Sequence, residues 1–332
     1  MSDHHAHQHG LGHWGHHHGV VDPAIVTTSR GIWAIKWSFL GLLVTALLQV
    51  VVVILSGSVA LLADTIHNFG DAATAIPLWI AFHLARRRPT KRYPFGLGRV
   101  EDLAGAIIVL IIFVSALVAG YEAIDRLLHP RPVQYLAALA AASILGFLGN
   151  EAVAVLRINV GREIGSAALV ADGHHARVDG LTSLAVLAGA LGVWAGFPLA
   201  DPLVGLAITL VILGIVWQSA KAVFTRMLDG VEPEVLDELA HAALHVDGVR
   251  QVTDARARWI GHRLHAELNI AVTPTLPIAE AHAIAKEVHH QLLHHLPYLS
   301  QAIIHVDPLG EAGNTHHHVA SHAHDGLPIH SH

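Results

Sequence analysis

Six apolar stretches, each long enough to cross a bilayer as a helix, constrain this chain more than any other feature. They run over about 33–55, 59–85, 100–127, 134–156, 166–195 and 202–223. At ~1.5 Å per residue the first spans roughly 34 Å as a helix, and about 20 apolar residues suffice for a hydrocarbon core. Charged residues make up 14% of the chain, against about 25% in soluble domains. Ser56-Gly57-Ser58 splits the first two stretches; Gly196-Phe197-Pro198 and Asp201-Pro202 split the last two. Such breaks suit adjacent antiparallel helices. The fold class expected is an α-helical membrane protein of six transmembrane helices.

A different composition follows the sixth stretch. Residues 232–245 read as an amphipathic helix, 249–258 and 263–272 as strands, 278–296 as a helix and 302–306 as a last strand. The second strand alternates Leu264, Ala266, Leu268, Ile270 and Val272 with mostly polar residues. This αββαβ order predicts a small ferredoxin-like α+β domain with its helices on one face of a sheet. The expected organisation is a His-rich tail over 1–30, a transmembrane domain over 31–228, a cytoplasmic domain over 229–310 and a second His-rich tail over 311–332. The tails cannot bury an apolar core and are expected to be flexible. Residues 1–19 lack the basic start and short apolar run of a signal peptide.

Loop arginines and lysines set the expected orientation. Arg86, Arg87, Arg88, Lys91, Arg92 and Arg99 join the second and third stretches, and Arg157 and Arg162 the fourth and fifth. Arg30, Lys36, Lys221 and Arg226 flank the first and sixth; the other side has only Arg126 and Arg131. Both termini are thus expected in the cytoplasm, with a bacterial plasma membrane as the expected location. The formal charge of −6 argues against a nucleic-acid partner.

Ionisable groups within lipid-crossing helices are costly and usually mark pathways or sites. The second stretch holds Ala63-Asp64-Thr65-Ile66-His67-Asn68-Phe69-Gly70-Asp71, and the fifth Ala171-Asp172-Gly173-His174-His175-Ala176-Arg177-Val178-Asp179. Both fit A-D-x-x-H-x-x-x-D. Residues four apart share a helix face one turn apart. His67 with Asp71 and His175 with Asp179 therefore form two matched pairs. If their helices pack together, two imidazoles and two carboxylates converge into a four-coordinate set that zinc accepts. Asp64 and Asp172 fall near the same face, as partners that orient the imidazoles, as steps on a metal path, or as polar glue between helices. Arg177 is expected to pair with a nearby carboxylate. The chain has 30 histidines and no cysteine, so any transition-metal site uses imidazole and carboxylate. The tail histidines are expected to bind metal loosely.

At these residues the chain resembles the cation diffusion facilitator family, over almost everything from Trp33 to Pro308. The resemblance rests on Gly57-Ser58-Val59-Ala60-Leu61-Leu62-Ala63-Asp64 leading into His67 and Asp71. It rests too on Tyr93-Pro94-Phe95-Gly96 with Gly98-Arg99-Val100-Glu101, on Ala171-Asp172-Gly173, and on Ile304-His305-Val306-Asp307-Pro308. It implies a dimeric, proton-coupled exporter of divalent cations whose transport site uses His67, Asp71, His175 and Asp179. A histidine at the His67 position goes with members that favour zinc over cadmium. Metal and protons would compete for the same lone pairs, and alternating access would carry the exchange. In the cytoplasmic domain, His282, His305 and Asp307 stand at the family's metal-ligand positions, while two further positions hold Thr253 and Asn269. His265 and Glu267 are candidate substitutes, or these are ordinary surface residues. The loop after the second helix holds Thr90, Tyr93 and Leu97 at the positions of the family's occasional extra site, and none is a good zinc ligand. Arg99 and Asp229 match a charge pair that ties the two domains together.

Three rival readings remain at this level. A membrane metalloenzyme needs an open metal position and a base, and the H-E-x-x-H pattern does not occur. A metal sensor or store does not explain carboxylates in two spans. A transporter of iron, manganese, cadmium, cobalt or nickel keeps the fold; two histidines disfavour manganese.

Overall fold

The structure, a computed structural model, describes residues 23–56, 75–129, 136–197, 199–296 and 298–313. The helices are α1 (Pro23–Ser56), α2 (Ala75–Ala85), α3 (Arg99–Leu128), α4 (Leu136–Ile164), α5 (Ala167–Trp194), α6 (Ala200–Met227), α7 (Pro233–Leu244) and α8 (Ile278–His295). The strands are β1 (Gln251–Ile260), β2 (Arg263–Val272) and β3 (Leu299–Pro308).

Among the described residues, five helices are long and apolar enough to cross a membrane: α1, α3, α4, α5 and α6. α2 is the described end of the second expected span. Side chains such as Trp37, Leu48, Leu110, Leu117, Leu210 and Trp217 remain exposed on these helices. In water, apolar surface of this extent marks a contact with something else; on a bundle of span-length helices it is the lipid face. The chain is a multi-pass membrane protein. Inside the bundle, Ile35, Leu78, Phe82, Ile108, Leu169 and Ile212 belong to one buried cluster.

Two helices run eight or more residues past their expected ends, and tertiary contacts explain both. α1 begins at Pro23 rather than near residue 33 because its polar first turns have a partner: buried Thr28 meets His262 of the C-terminal domain, Oγ1 to Nε2, at 2.9 Å. α4 continues to Ile164, so only Gly165 and Ser166 join it to α5. Arg157, expected in the loop between the fourth and fifth spans, is therefore not a loop charge. It lies within α4, 1% exposed, where Asp172 of α5 neutralises it.

The C-terminal domain has the expected αββαβ order. Its sheet runs β1-β2-β3, with β1 and β2 antiparallel and β2 and β3 parallel, α8 making the crossover. Leu264, Ala266, Leu268 and Ile270 point into a core with Leu239 of α7 and with Val288 and Leu292 of α8. Because strand side chains alternate, His265, Glu267 and Asn269 take the other face. The β1–β2 turn has Gly261 at φ 64°, the first central position where a type II′ turn needs glycine. A side chain there would also strike Gly98 and Glu101.

That turn joins the domain to the base of the helices. Glu101 of α3 accepts a hydrogen bond from the backbone N–H of His262 at 3.3 Å, and its carboxylate lies 2.6 Å from His262 Nδ1. Ser166 donates to the same carboxylate, Phe82 stacks on the His262 ring, and Gly261 N–H donates to Asp102 at 3.2 Å. Glu101 and His262 are each 1% exposed.

Candidate metal site

α5 carries the described half of the motif. Ser166 caps it, accepting from Leu169 N–H at 3.0 Å, and thereby sets where the helix starts. From that start, Asp172, His175 and Asp179 follow at intervals of three and four residues and share one face. All three are buried, at 0%, 1% and 8% exposure. His175 Nδ1 lies 3.7 Å from Asp179 Oδ2, so one imidazole and one carboxylate meet inside the bundle. His174, a step around the helix, is only part-buried. His67, Asp71 and Asp64 lie outside the described residues.

Asp172 is committed elsewhere. Its carboxylate sits 3.0 Å from Arg157 of α4, both side chains essentially inaccessible. This contact fits the interhelical role among those open to it, because a buried guanidinium needs a counter-ion there. Arg177 forms a two-pronged pair with Glu151 of α4, at 2.6 and 3.1 Å. The two ion pairs run with opposite polarity between the same helices and fix their relative height. That height determines where His175 and Asp179 stand.

Sequence reasoning passed over several buried polar groups. Asn150 of α4, 2% exposed, faces Gly180, the neighbour of Asp179. Gln49 of α1, 1% exposed, donates to the Ala142 carbonyl at 3.3 Å. A signal existed for both: each is an amide near the middle or end of a mostly apolar stretch. His262, in contrast, sits in a soluble-looking turn whose sequence says nothing about its burial.

The candidate set in the C-terminal domain is only partly assembled within one chain. His305 Nε2 lies 2.8 Å from Asp307 Oδ1, with Asp307 buried and the imidazole half-exposed. His282 of α8 lines the same pocket as Asp307. His265 is a correction: it does not join them. The register puts His265 opposite Gln301 and Asn269 opposite His305. Four residues of strand, about 13 Å, therefore separate His265 from the pair. Burial, then the nearby Arg258 and Arg263, push the His265 imidazole below its ordinary range. Among the described residues no three potential ligands converge in a single chain. Arg99 and Asp229 do form an ion pair, and Arg99 also donates to the Arg226 carbonyl at 2.9 Å.

Comparison with known proteins places this geometry in a family. The profile of the cation efflux transmembrane domain matches residues 35–228, and that of the cation efflux protein cytoplasmic domain matches 231–309. A probable cation efflux system protein of Mycobacterium tuberculosis is 54% identical over 288 residues, 87% of each chain. The zinc transporter ZitB of Escherichia coli is 28% identical over 286 residues, 82% of this chain and 90% of its own. A solved C-terminal domain of MamM in a cadmium form is 28% identical, covers 23% of this chain and 95% of its own, and has a TM-score of 0.23. The apolar helices, the C-terminal α+β domain and these two profile matches together make the chain a member of the cation diffusion facilitator family of cation efflux transporters.

Proposed function

We propose that the protein exports Zn²⁺ from the cytoplasm in exchange for protons, binding it at His67, Asp71, His175 and Asp179. The observation that carries this reading is the buried His175–Asp179 pair, one turn apart on α5. The second span repeats the same residue types at the same offsets, and its described end, α2, touches α5. Two imidazoles and two carboxylates favour zinc and leave manganese, which prefers oxygen ligands, poorly served. The likeness to a named zinc transporter points the same way.

Proton exchange follows from the donor set. An imidazole must be neutral, and a carboxylate ionised, to hold metal. When the site opens to the far side, protons displace Zn²⁺; when it opens to the cytoplasm, Zn²⁺ displaces protons. Both termini face the cytoplasm in this reading, in a bacterial plasma membrane. The C-terminal domain pairs two copies of the chain. His305 and Asp307 supply two of the donors for a regulatory metal there, and water or the second copy completes its coordination.

The test is transport into proteoliposomes across a panel of Zn²⁺, Cd²⁺, Co²⁺, Ni²⁺, Fe²⁺ and Mn²⁺, with internal pH recorded. Zn²⁺ flux with opposed proton movement is expected. His175→Ala and Asp179→Ala each lower that flux by about tenfold or more, since even partners of metal ligands are worth about that much. Near-normal flux in either variant overturns the site, and flux without proton movement overturns the exchange.

A further inference from the structure

α8 ends in a pair of histidines that neither the transport site nor the His305–Asp307 pair uses. His290 and His294 are exposed and lie one turn apart close to the helix C-terminus. Their Nε2 atoms stand 3.1 Å apart, and their rings meet edge to face with centroids 4.4 Å apart. Two imidazoles four residues apart are the arrangement by which a helix offers two nitrogens to one metal ion.

The bite fits a transition metal. Zinc–nitrogen bonds of about 2.0–2.1 Å at a tetrahedral angle put two nitrogens roughly 3.3–3.4 Å apart. At 3.1 Å one ring's N–H shares its proton with the other ring's lone pair. A metal ion takes the proton's place after a small outward turn of two exposed side chains. The surroundings favour a cation: His294 lies in the last turn of the helix, where the dipole is negative, and His290 one turn before it. Glu287 stands one turn earlier on the same face, its carboxylate accepting from Gln291 at 2.7 Å. Water completes the coordination, so the site is open and exchanges its metal readily. Two nitrogens with no protein oxygen select Zn²⁺, Ni²⁺ and Cu²⁺ over Mg²⁺ and Mn²⁺.

We propose that His290 and His294 form an open two-nitrogen surface site on the C-terminal domain for zinc-like divalent metals. The site is distinct from the His282 neighbourhood, which begins eight residues, about 12 Å, earlier on the same helix. It offers a place where metal binds and leaves quickly beside the transporter, without burial or a conformational step.

The chain has no cysteine, so a Lys286→Cys variant, at an exposed position one turn before His290, carries a single fluorophore. Ni²⁺ bound at the pair quenches that fluorophore at short range. With full-length labelled protein in detergent, a saturable quenching curve is expected, and Zn²⁺ reverses it while Mg²⁺ does not. His290→Ala or His294→Ala moves the midpoint to about tenfold higher Ni²⁺ or more, because a second tethered nitrogen acts at high effective concentration. His289→Ala, about 100° around the helix, leaves the midpoint unchanged. An unchanged midpoint in the His290→Ala/His294→Ala double variant overturns the proposal, because other histidines then bring the metal. So does reversal by Mg²⁺ as readily as by Zn²⁺. Asp179→Ala should not move the curve, which separates this site from the transport reading; a shifted curve overturns the independence of the two.

Discussion

Arg157 and Asp172 show how a charge survives inside the helical bundle. Each is nearly inaccessible, and the pair is 3.0 Å apart. Breaking such a pair from one side leaves the other charge buried and costs about 3–5 kcal/mol. Asp172→Asn should therefore lower the thermal midpoint in detergent strongly, and adding Arg157→Met should restore much of it. The double variant also separates roles: recovered stability with recovered Zn²⁺ flux means Asp172 acts through helix position, while recovered stability without flux means it lies on the metal path. His265 gives a pH-dependent counterpart. Burial and two arginines depress its imidazole in the folded domain. Below the ordinary imidazole value of about 6.5 the unfolded chain takes up a proton that the folded one resists. Stability is then lost as pH falls through that window and is fully present above it. In a His265→Gln variant, the drop in thermal midpoint between about pH 7.5 and about pH 5.5 should be smaller than in the unsubstituted chain. The sequence made His175 and Asp179 stand out because an imidazole and a carboxylate on one face of an apolar helix are costly to bury unless they serve a site. It could not show that Arg157 is buried, since an arginine near the end of an apolar run looks the same in a loop or in a helix with a counter-ion.

Between elements, the α4–α5 contact does most to position the site. Two ion pairs of opposite polarity set the height of one helix against the other. Gly173 sets their separation: a Cβ there would stand 2.6 Å from Ile158 Cγ1 and 3.0 Å from the Ile158 backbone nitrogen. Gly173→Ala should force the helices apart and cost about 1–3 kcal/mol, seen as a lower thermal midpoint. Because His175 is two residues away, Zn²⁺ flux should fall with it. Helix and strand identities were legible at this scale, since span length and two-residue alternation follow from the order of apolar and polar residues. The ends were not: α1 and α4 are longer than their apolar runs because contacts from other parts of the chain stabilise their polar turns. The pairing of β2 with β3 was also out of reach. Only the register shows that His265 faces Gln301 while His305 faces Asn269.

For the molecule as a whole, the junction of bundle and C-terminal domain is polar and buried. The β1–β2 turn brings His262 to Glu101 and Thr28, and Arg226 lies over the Trp259 ring at 4.1 Å. Arg99 and Asp229 close the outer side of the same joint. His262→Ala removes the partner of a buried carboxylate and should cost about 3 kcal/mol or more; it is expected to speed hydrogen exchange at the start of α3 and in the β1–β2 turn. Arg99→Gln acts on an exposed pair, where such contacts are worth about 1 kcal/mol or less. It should loosen the joint without unfolding either part, seen as faster exchange around 228–232 with a near-normal thermal midpoint. Unchanged exchange in both variants would show that apolar packing alone holds the domains together.

The sequence by itself determined a membrane-crossing helical region, a small α+β domain after it, and a repeated His/Asp motif, because apolar run length, alternation and helical spacing are local properties. Tertiary structure decided which of the polar residues are spent on holding helices together. Whether an arginine is solvated or buried, whether a carboxylate is committed to a cation, and which histidines share a strand register depend on partners from distant parts of the chain. That is why Asp172 and His265, alike in promise to the eye that reads residues in order, part company once the helices and strands are packed.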